Sequence, residues 1–204
     1  MRAPFPRTAR VLRHLARHEI RSLAALGLWL ARRRDGVRPG DLTAPYAAAQ
    51  ASTLLLFGIA AGIETVALAV LLAPWPMAHL ITLVLDVYGL VFVLGLHAAS
   101  VVRPHLVGAD GSLRVRYATL ADLRVPAALV ASAHAVRRYP DTGMVDVRDG
   151  TLTLPVGGQT SVTLRLTEPV TFVHPLGAES RIRTIHLHTE TPESLVKALT
   201  PTRG

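Results

Sequence analysis

One carboxylic acid, Glu64, sits near the middle of "LLLFGIAAGIETVALAVLLAP", an otherwise apolar run from Leu54 to Pro74. An acid placed where water is scarce must be neutralised, paired or put to use, and inside a membrane it marks a proton or ion site by default. A second acid, Asp86, lies in the apolar run that follows. A turn centred between Trp75 and Pro76 pairs residues whose numbers add to about 151, which sets Glu64 opposite position 87, one step from Asp86. Both acids then lie at one depth, about 15 Å from the turn. Two ionised carboxylates side by side in low dielectric are unfavourable, so one or both are expected to be protonated, and a shared proton acts as a hydrogen bond. The functional reading of the pair is a small proton- or cation-handling subunit built from oligomerised hairpins. The structural reading is a polar contact within the hairpin or between protomers. The structural reading is preferred, because two helices alone do not make a pathway. Gly58, Ala60, Ala61 and Gly62 are small enough to let the helices approach closely.

Other residues with chemistry are fewer. "IHLH" puts His186 and His188 on one face of a strand, which is ligand spacing for zinc if His174 or His134 comes near. Exposed strand histidines are far commoner than ligands, and no metal or cofactor is expected. His97, in the second apolar run, reads as a polar contact between helices. Arg137 and Arg138 before Tyr139 form either a basic lip for lipid headgroups or a solvated surface pair. "VGGQTS", Val156 to Ser161, is Gly-rich but leads into no helix with a lysine, so a phosphate loop is not expected. There is no cysteine, which excludes disulfides, thiolate metal sites and cysteine nucleophiles. No serine, histidine and acid arrangement stands in motif context, and the chain is expected to be no enzyme.

The elements that position these residues follow from charge and hydropathy. The chain has 204 residues, half of them hydrophobic, with mean hydropathy +0.36. That is too apolar for an ordinary soluble domain. The net charge of +8 is uneven. Residues 1–38 hold ten Arg against Glu19 and Asp35. Residues 39–102 hold only Asp41, Glu64 and Asp86, and no cation. Inside that gap lie apolar runs at about 49–73 and 79–101, each long enough to cross roughly 30 Å of hydrocarbon. "APWPMAH", Ala73 to His79, separates them as a tight turn at the headgroup level. The first run tolerates Glu64: a central acid costs roughly 3 kcal/mol, and eleven Leu, Ile, Phe and Val residues at about −0.3 to −0.6 each offset it. The alternative is a buried helical hairpin in a soluble protein. No cleaved signal peptide is expected, since the first long apolar run starts far from Met1. Arginines flank the pair of runs on the outside of an uncharged turn, so both termini are expected in the cytoplasm, at the plasma membrane.

The N-terminal arm predicts a helix of its own. In "TARVLRHLARHEIRSLAALGLWLARRR", Thr8 to Arg34, Leu12, Leu15, Leu23, Leu26 and Leu30 share one face. Arg10, Arg13, Arg17 and Arg21 fall on roughly the opposite one. Such a helix beside a span is expected to lie in the cytoplasmic leaflet against anionic lipid headgroups, not on nucleic acid. The alternative is a helix packed on the C-terminal domain or on a second copy. The chain therefore divides into an arm and linker, 1–40, a transmembrane hairpin, 41–102, and a third part, 103–204.

In the third part the texture changes to alternation. "LRVRY", "DLRVP", "MVDVRD", "TLTLPV", "SVTLRLT", "VTFVHP" and "RIRTIHLHT" read as short antiparallel strands with turn signals between them, among them Glu168-Pro169. "TPESLVKAL", Thr191 to Leu199, reads as a closing helix with Thr191 at its cap. Strands closed by one helix make a small barrel or sandwich, so the fold class is an α+β membrane protein. The stretch "RPHLVGADGSLRVRYATLADLRVPAALVAS", Arg103 to Ser132, with the pair of spans before it, resembles the bacterial pleckstrin-homology-like membrane proteins. The resemblance covers about half the chain and departs at Ala118, where that family usually has glycine. It implies a non-enzymatic module that binds or scaffolds at the membrane face, through lipid, a membrane-protein partner or a second copy, and it transfers no site residue.

Overall fold

The computed structural model describes residues 7–175 and 177–200, with side chains from Glu19 onward. Its order is α1 (Arg7–Leu30), β1 (Leu42–Ala44), α2 (Ala48–Leu71), α3 (Pro76–Val102), β2 (His105–Val107), β3 (Leu113–Tyr117) and β4 (Ala121–Val125). After a short turn come β5 (Val130–Arg138), β6 (Asp146–Arg148), β7 (Thr151–Leu154), β8 (Thr160–Val173), β9 (Glu179–Leu187) and α4 (Pro192–Leu199). The chain is α+β, and the two apolar runs form α2 and α3, each long and apolar enough to cross a membrane. Pro76 starts α3 where its missing N–H costs nothing. No residue of α2 is buried, and α3 is buried only from Gly95 onward. Soluble surfaces rarely show apolar patches of this size, so the soluble-hairpin alternative loses its premise: these helices are not a core.

The strands form two sheets with the orders β1-β2-β3-β4 and β5-β8-β9-β7-β6. Inward residues of both, such as Val115, Leu123, Leu164 and Ile185, share one apolar core with Leu195 and Leu199 of α4. The arrangement is a sandwich with a helix at one end, and not a closed barrel. Three features depart from the sequence reading. First, β1 lies before the hairpin, at positions assigned to its start, yet it pairs with β2 through Leu42, Thr43 and Ala44. The β domain therefore takes residues from both sides of the hairpin. Second, β7 and β9 pair in parallel. Third, "SVTLRLT" and "VTFVHP" are one strand, β8. The Glu168-Pro169 step is absorbed by a register shift between Arg165 and Val170, because a bulge removes the ladder position that proline cannot fill.

The N-terminal helix also departs from expectation. Glu19 lies beside the Tyr88 phenol. Ser22 and Leu26 lie against Gly95, and Trp29 meets the His97 ring edge-on with centroids 5.9 Å apart. After the helix ends, the Asp35 N–H donates to the Val102 carbonyl at 2.9 Å. These contacts rise in number together on both helices, so α1 runs beside α3 in the same sense. It is not a separate helix lying flat across the foot of the hairpin. The small residues Ser22, Ala25, Gly95 and Ala99 explain the docking, since they let the two backbones approach.

Candidate functional site

The hairpin seam has the register expected from the sequence. A small cavity of about 10 Å³ between α2 and α3 is lined by Thr65, Leu68, Ala69 and Leu72 on one side and by His79, Thr82, Leu83 and Asp86 on the other. The two sets pair off at the predicted sum, and both border the same cavity. Asp86 therefore faces Thr65, and Glu64 is exposed one step round α2. The two acids line one open groove of about 300 Å³ with Gly58, Ala61 and Gly89. No hydrogen bond joins them, and the buried Oδ2 of Asp86 has no partner. Thr65 and Thr82 turn their hydroxyls back to the carbonyls of Ala61 and Ala78, each at 2.9 Å, and so leave the carboxylate alone. The hydrogen bond expected between the two acids is therefore absent. Replacing Glu64 and Asp86 by leucine, singly and together, is then expected to give additive changes in melting temperature, with a coupling below about 0.5 kcal/mol. A coupling near the upper membrane value of roughly 1.7 kcal/mol would mean that the acids meet after all.

The other residues singled out from sequence are scattered. The side chains of Arg10, Arg13 and Arg17 lie outside the described residues. Arg21 is exposed on α1 and engaged in an interaction there. Arg137 and Arg138 are exposed at the end of β5. They lie close enough to His188 and His186, respectively, to lower those imidazoles' proton affinity, after the larger effect of burial. His134 and His186 both flank Thr163 of β8, while His174 bonds Ser180 Oγ at 2.8 Å. Among the described residues no three His, Asp or Glu side chains converge as metal ligands.

The dense polar site is one that sequence reading missed, at the foot of the hairpin. Arg103 follows α3 directly, and its side chain is 8% exposed. Its guanidinium donates to Asp35 Oδ2 at 3.1 Å, to Asp122 Oδ2 at 2.8 Å and to the Ala118 carbonyl at 2.8 Å. Arg114 grips Asp122 through two bonds of 2.7 Å each. Burial raises the Asp122 carboxyl, but the bonds and charge of Arg114, helped by Arg103 and Arg116, outweigh it and hold it below the usual range. Arg116 is fully buried and donates to the Asp35 carbonyl at 2.8 Å. Burial, with Arg114 nearby, lowers its guanidinium to about 10. The alternation of β3 and β4 explains the gathering. Leu113, Val115 and Tyr117 point to the core, so Arg114 and Arg116 must share the other face with Asp122 and Arg124.

Beside this cluster runs a neutral network. The Arg116 N–H donates to His105 Nδ1 at 3.0 Å, and His105 Nε2–H donates to the His188 carbonyl at 3.0 Å. Both ring nitrogens are used, and only the neutral imidazole can use them so. Burial, despite that carbonyl, lowers the His105 pKa to about 4. The Tyr46 ring lies tilted against His105 with centroids 4.8 Å apart, and its hydroxyl accepts the Ala118 N–H at 2.7 Å. Burial pushes the Tyr46 phenol above its ordinary value. Ala118 adopts φ +44°, the left-handed turn that the resemblance would give to glycine. The other foot is fastened as well. The Glu190 carboxylate accepts the Ala48 N–H at 2.8 Å, which supplies the first turn of α2 with an acceptor its own cap lacks. Gln50 and Ser100 join the feet of α2 and α3 at 2.9 Å. The Gly157-Gly158 turn touches α2 so closely that a Cβ at Gly157 would meet the Ala49 carbonyl. Its two positive φ values make a tight hairpin turn, and not a phosphate loop. No protein-family model matches this chain, and neither the curated proteins nor the solved structures hold a match to it.

Proposed function

We propose that the chain is a membrane-anchored, non-enzymatic interaction module. In this reading α2 and α3 cross the plasma membrane as a hairpin, with the sandwich and the C-terminus in the cytoplasm; the cytoplasmic N-terminus expected from the arginines does not fit α1 running beside α3 in the same sense. The β sandwich, read as pleckstrin-homology-like, stands against the inner face and binds lipid headgroups, a membrane-protein partner or a second copy. The observation that carries it is the fastening of both hairpin feet to the sandwich, by Glu190 at α2 and by Arg103 at α3. A hairpin joined so firmly to a folded domain presents one fixed face of that domain to the bilayer. The exposed apolar surface of α2 and α3 supports insertion. Since the chain has no cysteine, single cysteines report topology cleanly. Ala78→Cys is expected to react with an impermeant thiol reagent in intact cells, and Ser112→Cys only after permeabilisation. The reverse pattern would overturn the orientation.

The second reading, a proton- or cation-handling subunit, rests on the unpartnered Asp86 Oδ2 in the seam. Proteoliposomes holding the full chain are expected to pass protons no faster than empty vesicles. Flux that disappears in Asp86→Leu would move the assignment to this second reading.

A further inference from the structure

The outer face of the first sheet carries more positive charge than its own acids balance. Arg114 and Arg124 are direct cross-strand partners, a like-charge pairing that costs stability unless something lies between them. Arg103, Arg114, Arg116 and Arg124 share that region with Asp35 and Asp122. Both acids are already taken by Arg103 and Arg114. No hydrogen bond or ion pair holds the Arg124 side chain among the described residues. Arg116 is 0% exposed, yet its Nε and Nη2 have no partner. A buried guanidinium with unused donors is costly unless an acceptor or a neighbouring anion answers it.

The linker between α1 and β1 crosses this face at Asp35 and Gly36. A Cβ at Gly36 would stand 2.9 Å from Arg116 Nη2 and 3.4 Å from Arg114 Nη1, so a larger residue would push the tip of Arg116 aside. The Gly36 φ of +63° also favours glycine. Beside Gly36 opens a groove of about 550 Å³, lined among others by Arg38, Asp110, Ser112, Arg114 and Arg124. Its lining also holds two carboxylates, Asp41 and Asp110, each hydrogen-bonded within its own loop. Asp41 accepts the Arg38 N–H at 2.9 Å, and Asp110 accepts the Ser112 N–H and hydroxyl at 3.0 and 2.6 Å.

We propose that this groove binds a phosphate-bearing anion at the foot of the hairpin. Arg38 and Arg124 contact the phosphate oxygens, Arg114 borders them, and Arg116 supplies a buried counter-charge beneath Gly36. Guanidinium forks match phosphate geometry better than ammonium groups do. The groove, the like-charged pair and the unanswered Arg116 all call for the same chemistry. The membrane-anchored reading enters only in the source of the phosphate, a lipid headgroup or a soluble phosphate compound.

The test uses the full chain in nanodiscs, with melting temperature as the readout. One arm adds pyrophosphate to discs of phosphatidylcholine. The other compares discs of phosphatidylcholine with discs containing phosphatidylglycerol. A saturable rise in melting temperature is expected in at least one arm. A rise only with pyrophosphate assigns the groove to a soluble compound, and a rise only in the anionic discs assigns it to a headgroup. A rise in both assigns it to a headgroup site that is open to solvent. Arg38→Gln and Arg124→Gln, read separately so that neither result depends on the fold of a double variant, are each expected to weaken the response at least tenfold. Arg148→Gln, on the edge strand β6 of the second sheet, is expected to leave it unchanged. No rise in either arm, or a rise that both groove variants keep, overturns the proposal. Failure of the chain to migrate with the discs would instead overturn the membrane reading, and pyrophosphate titration in detergent would still decide the groove.

Discussion

Arg103→Met is expected to be the most damaging single substitution at the foot of the hairpin, lowering stability by about 2–3 kcal/mol. The cost does not come mainly from the lost pairing. It comes from what remains: Asp35 loses its cation, Asp122 keeps only Arg114, and the Ala118 carbonyl loses its donor. A partly buried acid without its cation and a buried carbonyl without a donor each carry a desolvation penalty. Arg103→Lys restores the charge but not the planar fork that reaches three acceptors at once, so it is expected to recover only part of the loss. Arg148→Gln makes a useful contrast. Its partner Asp146 lies 3.2 Å away, but the Arg148 side chain is 71% exposed. That change is expected to be nearly silent, as exposed ion pairs generally are. Melting temperatures of the three variants in one detergent decide the matter. An Arg103→Met protein that melts with the wild type would mean that the cluster does not hold the hairpin to the sandwich.

The second large effect is a loss of stability on mild acidification, centred on His105. Its folded pKa is lowered from 6.5 to about 4, chiefly by burial. For a base lowered in this way, the unfolded chain takes up the proton first. Its contribution is therefore complete above about pH 6.5 and is lost as pH falls towards 4. Integrated over that window, the difference amounts to about 3 kcal/mol. Protonation also places a hydrogen on Nδ1, where the Arg116 N–H now donates, and so breaks one of the bonds between β2 and β3. Burial lowers His186 and His188 in the same direction, and both add to the slope over the same acid range. His105→Gln, which can still donate and accept, is expected to be less stable at neutral pH but to show a flatter profile between pH 6.5 and 4.5. Thermal melts at stepped pH give both curves. Identical slopes for wild type and variant would mean that the ring is not held neutral.

The hairpin and the closing helix were legible in the sequence because their signals are local. An apolar run of about 24 residues needs no distant partner to declare itself, and α2 and α3 fall within a few residues of the runs read from composition. The seam register followed from the position of the turn alone, and Thr65 facing Asp86 agrees with it. Alternation located β3, β4, β6, β7 and β9, since each has a buried and a less buried face or stands between clear turn signals. It did not locate β5, "VASAHAVRR", which is an edge strand that is mostly exposed and rich in alanine, so no alternation marks it. Nor did it locate β1 and β2, three residues each, which are too short to show a period.

The candidate sites divide along the same line. Glu64 and Asp86 stood out because an acid in an apolar run is conspicuous by itself, and counting brought both to one groove. Counting had no means to show that the two carboxyls miss each other, because a single step round a helix turns a side chain by about 100°. The arginine cluster was not conspicuous at all. Asp35, Arg103, Arg116 and Asp122 come from a linker, a helix end and two strands, and each alone reads as an ordinary surface charge. Composition, apolar runs and turn residues determined that this chain has a two-helix hairpin followed by a strand-rich part. The tertiary structure alone decided that β1 joins that part across the hairpin, that α1 lies along α3, and that four arginines meet at the foot. Local periodicity records which face of an element is apolar. Which elements share that face is settled by packing between residues distant in the chain, and no single stretch of sequence contains both partners.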